Sequence, residues 1–347
     1  MSQRWKNRPE GSNWGEFGAD DQRGRMNLVT PKKVLEGIAE VKEGRTFCLS
    51  LPLDYPGSNV VFEMRHPPRM FATLRGKLAN YNFLARNLNP DFVDVVCDEA
   101  VLLHTQYSTQ WDSFAHIGQE FDADGDGKPE IVYYNGWRAG DHVVGVEQKP
   151  GPLAWDSFEG VSANKLGIEN LAVSGVQGRA VMIDLHAHFG RERRAIGYEE
   201  LMRVIAADKV EIAPGDMVAL YTGFGDVLLE MRRKPTKEAI ETQGAGLDGR
   251  DRRLLQWITD SGLSILVSDN IGVEYFPPKP GGEGKHVRLP LHEHCLFKLG
   301  IHLGELWYLS ELARWLREHK RNRFLMTAPP LRLPGAVGSP ATPVATV

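Results

Sequence analysis

The segment His104-Thr-Gln-Tyr-Ser-Thr-Gln-Trp-Asp-Ser-Phe-Ala-His116 packs two imidazoles, a carboxylate, two carboxamides and several hydroxyls into one short stretch. Such a density of donors and acceptors is metal-site or hydrolase chemistry rather than core packing. If the first part is extended, side chains alternate from face to face. His104, Gln106, Ser108, Gln110 and Asp112 then share one side, and Tyr107, Thr109 and Trp111 take the other. A polar row buried without partners costs free energy, so this row must face solvent, a polar cavity or a bound ion. Pattern alone leaves a solvent-facing strand as the competing reading.

Three further clusters have chemical potential. Pro290-Leu-His292-Glu-His294-Cys-Leu-Phe-Lys-Leu-Gly-Ile-His302-Leu-Gly-Glu305 holds three imidazoles and a closing carboxylate. Asp184-Leu-His186-Ala-His188 puts two imidazoles at alternate positions after an apolar run, where they could share a face; they are ranked as pocket-rim or structural residues. Asp122-Ala-Asp124-Gly-Asp126-Gly127-Lys-Pro-Glu130 begins like a calcium loop, but its twelfth position is Tyr133 and Pro129 interrupts it. Without the closing bidentate carboxylate an ion would be weakly held, so a tight Asp/Gly turn is expected.

The first segment resembles, in degenerate form, the signature of the cyclase family, which includes bacterial kynurenine formamidase and isatin hydrolase: His-x-Gly-Thr-His-x-Asp-x-Pro-x-His. Thr109, Asp112 and His116 match it, while Gln106 and Gln110 stand where that pattern has its first two histidines, Ser108 replaces the glycine and Phe114 the proline. Other segments are similar to the family in the right order: Asn13 to Asp21, Phe47 to Pro52, Tyr133 to Gly136, Leu220 to Gly223, Ser268 to Asn270 with Glu274, and Gly300 to Glu305.

The resemblance implies a metal-dependent hydrolase of an amide, cyclic amide or ester. It implies that Gln110, Asp112, His292 and Glu305 are metal ligands, and that His116 and Glu305 are catalytic. Either His292 or His294 could be the matching histidine, and the longer spacing favours His292. Substrate contacts are expected from Gln106, Trp14, Tyr221 and His294. A carboxamide oxygen is a neutral hard ligand, so an oxygen-rich set suits one Mn²⁺, or a single Zn²⁺, better than a dinuclear zinc centre. His116 would take a proton from water and deliver it to the leaving group. A cyclase or dehydratase-type lyase on the same site, or a metal-free small-ligand binding protein, are the alternatives.

These residues need a scaffold of matching size, and 347 residues suffice for a large core. The net charge of −4 argues against a nucleic-acid partner, which needs a clustered basic surface. Met1 to Glu10 are polar and charged, and no apolar run approaches a membrane span. Cys48, Cys97 and Cys295 are odd in number and widely spaced, which fits a reducing, cytoplasmic setting.

Thr30 caps an expected helix with Pro31 at its first position. A strand is expected over Phe47 to Leu53, and central strands around Val101 to Leu103, Val132 to Tyr134, Val181 to Leu185 and Met217 to Thr222. Helices are expected over Tyr198 to Ala207, Lys237 to Gln243, Arg252 to Ser261 and Leu306 to Glu318. This mixture predicts an α/β protein. The resemblance implies a single domain over residues 1–347 of the swivelling β/β/α type, with a mixed sheet and flanking helices, acting on a small molecule as a homodimer or homotetramer. Residues 1–45 read as an N-terminal extension, 54–95 as a long excursion, and 328–347 as an extended C-terminal arm lying on the body or a partner subunit.

Overall fold

The computed structural model describes residues 4–146 and 160–347. A nine-stranded mixed sheet organises the chain. Its strands are β1 (Thr46–Cys48), β2 (Gln110–Asp112), β3 (Gln177–Asp184), β4 (Met217–Tyr221), β5 (Ile265–Ser268), β6 (His302–Glu305), β7 (Arg323–Thr327), β8 (Gly338–Pro340) and β9 (Val344–Thr346). They lie in the order β1-β9-β7-β3-β4-β5-β6-β2-β8. The four central strands, β3 to β6, are parallel, and every other pairing is antiparallel.

Parallel strands are buried on both faces, and these read accordingly. Val181, Ile183, Val218, Leu220, Leu266 and Leu303 point into one core layer. Their neighbours Ala180, Met182, Met217, Ala219, Ile265 and Val267 point into the other. Helices α2 (Tyr198–Ala207) and α3 (Arg252–Ser261) cover the first face with Leu201, Val204, Leu254 and Ile258. Helix α4 (Ser310–Glu318) covers the second with Leu312, Ala313, Trp315 and Leu316. Asp251 caps α3 by accepting the N–H groups of Arg253 and Leu254, and Gly262 ends it at φ +67°.

Helix α1 (Pro31–Ile38), capped by Thr30, lies against β3 so closely that a Cβ on Gly37 would meet the Gly178 carbonyl carbon at 2.6 Å. Three expectations need correction. The strands expected in the centre at Val101 to Leu103 and Val132 to Tyr134 form separate ribbons, Glu99–Leu102 with Arg69–Ala72 and Glu130–Val132 with Gln119–Phe121. Each leaves an apolar side chain, Val101 or Ile131, about half exposed, as a ribbon off the sheet must. The helix expected from Leu306 starts at Ser310, because Leu306 takes φ +56° and donates its N–H to Asn270 while Trp307 donates to Ser268. The C-terminal arm is built into the sheet, β8 at one end of the strand order and β9 second from the other.

Candidate active site

The polar row is not one long strand. Residues 105–109 form turns, and only Gln110–Asp112 pair as β2. In the antiparallel register with β6, Gln110 lies opposite Glu305 and Asp112 opposite Leu303. Directly opposed residues project to the same face, so the carboxamide and both carboxylates enter the layer that holds Leu303. The turn folds Gln106 back onto them, and its Nε2 donates to Asp112 Oδ1. Gln110 Nε2 donates to Glu305 Oε2 at 3.1 Å.

His292 approaches from a helix that begins at Pro290 and continues as π-helix over Glu293–Leu299. Wide turns of this kind recur at functional sites. Glu274, from the loop after β5, caps that helix. Its carboxylate accepts the backbone N–H groups of Leu291 and His292, and its Oε1 lies 2.6 Å from His292 Nδ1. The other ring nitrogen, Nε2, is 3.1 Å from Glu305 Oε1 and 4.0 Å from Asp112 Oδ2.

Asp112, His292 and Glu305 are buried, and each offers one ligand atom within 4.8 Å of the others. Asp112 Oδ2 and Gln110 Oε1 are buried with no hydrogen-bond partner. Orphaned acceptors of this kind call for an explanation, and the local charge supplies one. Burial and then the Glu305 charge push Asp112 up to about 7. Burial disfavours the His292 imidazolium, but hydrogen bonds to Glu274 and Glu305 outweigh it and hold its pKa at about 10. Burial likewise opposes ionisation of Glu305, yet His292 keeps its pKa below the usual value. Without an ion, protons on His292 and Asp112 offset this concentration of acids; a divalent cation would take their place, leaving His292 neutral with Nε2 free to ligate. The donors present fit such an ion.

His116 lies 6.4 Å from His292 between ring centroids and shares with it and Glu305 the lining of a cavity of about 480 Å³. Burial, then the His292 charge, pushes its pKa down to about 3, so the ring is neutral. Apolar groups such as Phe62, Ile240, Ile271 and Leu289 line the rest, with Arg65, Arg193 and Arg288 among them.

Four of the expected substrate contacts are placed elsewhere. Gln106 engages Asp112 rather than the cavity lining. Trp14 is 1% exposed, donates to the Phe297 carbonyl and packs edge-on against Trp5 and Phe297. Tyr221 follows Leu220 on β4 and therefore points to the opposite face, where its ring lies 5.2 Å from His186. His294 is two residues beyond His292, roughly 200° around a helix, and its Nε2 lies 3.0 Å from Thr259 Oγ1. That geometry selects His292 over His294 as the imidazole beside the carboxylates.

His104 pairs with the backbone of His66, His188 with Asp208, and His302 Nδ1 with the Asp112 carbonyl. In the acidic loop Asp122 accepts the N–H groups of Gly125, Asp126 and Gly127, as a tight turn requires. Two residues that the sequence reading did not place in the site belong to its surroundings. Glu274 stood in a segment similar to the family without an assigned role, and Arg65 carried no signal in a stretch without pattern.

The family model described as "Putative cyclase" matches residues 48–275. The chain belongs to the cyclase family. It is thereby an enzyme, although the matched region ends before His292 and Glu305. A crystal structure described as a novel cyclase is 27% identical at TM-score 0.72, covering 97% of this chain and 99% of that one. Isatin hydrolase A from Labrenzia aggregata, bound to benzyl benzoate, is 13% identical at TM-score 0.53, covering 90% and 97%. An isatin hydrolase bound to the product analogue thioisatinate is 13% identical at TM-score 0.54, covering 92% and 99%. These likenesses show that the cyclase fold is shared. No curated protein matches the chain. Among the described residues no helix is long and apolar enough to cross a membrane.

Proposed function

We propose that this cyclase-family enzyme is a metal-dependent hydrolase of an amide, cyclic amide or ester bond. The observation that carries the reading is the buried group of Asp112, His292 and Glu305, with the unpartnered oxygens of Asp112 and Gln110 beside it. These four side chains would hold one divalent ion, and three oxygens with one nitrogen suit Mn²⁺ better than Zn²⁺. When bound, such an ion supplies Lewis-acid polarisation of a carbonyl and acidification of water.

The remaining steps belong to the chain itself. Glu274 accepts from Nδ1 of His292 and so presents Nε2 toward the carboxylates. His116, on the cavity wall, can accept a proton from water and return it to the leaving nitrogen or oxygen once His292 is neutral, which removes the charge that, after burial, depresses its pKa. The apolar lining limits competing water. The shared fold with isatin hydrolases supports hydrolysis over other chemistry at such a centre. Three free cysteines support a reducing, cytoplasmic setting, and the exposed Met70, Phe71, Leu74 and Val93 support a homodimer or homotetramer.

The test is the metal content of protein purified without chelator, beside Asp112→Ala. About one equivalent of manganese or zinc per chain is expected, lost in the variant together with turnover of an amide and lactone panel. Incorporation of ¹⁸O from labelled water into the product marks hydrolysis. Failure to bind either metal on reconstitution would overturn the reading.

A further inference from the structure

Four Arg/Lys cations and four carboxylates line the cavity, but among the described residues three of the cations have no acidic partner. Among the cations of the lining, Lys237 pairs with Glu241 at 3.6 Å. Arg65, Arg193 and Arg288 form no ion pair among the described residues. Arg193 donates to the Phe276 and Gly244 carbonyls and lies 4.6 Å over the Tyr275 ring, and Arg288 lies 5.2 Å over the Phe276 ring. Glu274 and Glu305 are engaged with His292, and Glu63 is exposed at the lip. Arg65 and Arg193 are half-buried and Arg288 is exposed, and a half-buried guanidinium without a counter-ion is costly unless something supplies one.

Arg65 stands closest to the chemistry. It comes from the excursion over residues 54–95, is half-buried, and is pinned by one Nη1 hydrogen bond to the Gln106 carbonyl at 2.7 Å. Its guanidinium lies 4.4 Å over the Phe62 ring. Its charge is felt at Asp112, Glu305 and His116, though it pairs with none of them. A guanidinium has five N–H donors in a planar fork suited to a carboxylate, and this one spends a single donor on protein. Stacking on Phe62 fixes the fork while leaving its other edge free.

We propose that the cavity takes a substrate with an apolar, ring-sized body and a carboxylate, and that Arg65 binds that carboxylate beside the bond to be cleaved. Arg193 and Arg288 add the same sign of potential to the cavity wall. Arg65 is a specificity-determining residue in this scheme. The inference rests on the hydrolase reading for the bond cleaved, but not for the anion bound.

The experiment therefore reads binding and turnover separately. Calorimetry on the metal-loaded enzyme compares 2-acetamidobenzoate with its neutral analogue 2-acetamidobenzamide, in wild type, Arg65→Gln and Arg65→Lys. The anion is expected to bind at least about tenfold tighter than the neutral analogue, a difference of roughly 1.4 kcal/mol. Arg65→Gln should reduce that preference to within about twofold while leaving affinity for the neutral probe little changed. Arg65→Lys should keep part of it, as a point charge without the fork. Equal affinities in wild type, binding of neither probe, or a preference that survives Arg65→Gln would overturn the proposal. Acetate release is followed in the same samples. Anion preference without acetate release would count against the hydrolase reading and leave the anion site standing.

Discussion

Glu274 holds His292 twice, through the ring Nδ1 at 2.6 Å and through the backbone N–H at 3.3 Å. One carboxylate therefore fixes both the start of the helix and the orientation of the imidazole it carries. Outer partners of this kind typically alter metal affinity 10- to 100-fold. Glu274→Gln should accordingly weaken metal binding by about 10- to 100-fold, read by competitive titration with a chromogenic chelator. Unchanged affinity would mean that helix packing alone orients His292.

A second prediction concerns acid. Burial pushes His294 and His302 down to about 4. Their unfolded value is about 6.5, so between pH 6.5 and 4 the unfolded chain takes up protons that the folded chain refuses. Stability contributed by the neutral rings is complete above pH 6.5 and lost as pH falls, by roughly 3 kcal/mol for each ring. Urea unfolding of metal-free Asp112→Ala from pH 7.5 to 4.5 measures this without a contribution from ion release. His294→Gln should flatten the slope by about one proton.

Much of the frame was legible because local signals agreed with the tertiary ones. Thr30-Pro31 marks a real helix start, and Tyr198–Ala207 and Arg252–Ser261 occur with the expected bounds. The family resemblance implies Asp112, His292 and Glu305, and the fold brings them together across strands nearly two hundred residues apart in sequence. The shortfalls have physical causes. Strand alternation sends Tyr221 away from the site, and helical rotation does the same to His294. Glu274 and Arg65 act through long-range contacts for which the sequence has no period. The glutamines donate to carboxylates, Gln106 to Asp112 and Gln110 to Glu305, instead of lining the cavity.

Trp14 separates a packing role from a binding one. Its indole is wedged between Trp5, Phe121 and Phe297, with its N–H on the Phe297 carbonyl. Phe297 lies on the same π-helical stretch that His292 introduces. Trp14→Ala should cost about 3 to 5 kcal/mol of stability through the cavity it leaves, lowering the thermal midpoint. KM at temperatures where the variant is folded should be unchanged. A raised KM with normal stability would return Trp14 to the substrate pocket.

The C-terminal residues make the last prediction, because an arm and a strand answer truncation differently. Strand β9 lies between β1 and β7, pairing Thr346 with both Thr46 and Leu325. Ala345 and Val347 are fully buried, and the Val347 carbonyl accepts the N–H groups of Glu43 and Gly44. Removing Val344 to Val347 would unpin β1 and bare the edge of β7. Two buried apolar side chains and a row of ladder hydrogen bonds amount to roughly 5 kcal/mol, comparable with the whole stability of many domains. The truncated protein should be insoluble or unfolded by circular dichroism at 25 °C, whereas a peripheral arm could be cut with little loss. Strand β8 ties the same tail to the chemistry, since Gly338 pairs with Asp112 and Pro340 with Gln110. Truncation from Gly338 should therefore remove metal binding even in conditions that rescue folding, a result readable by chelator titration of refolded protein.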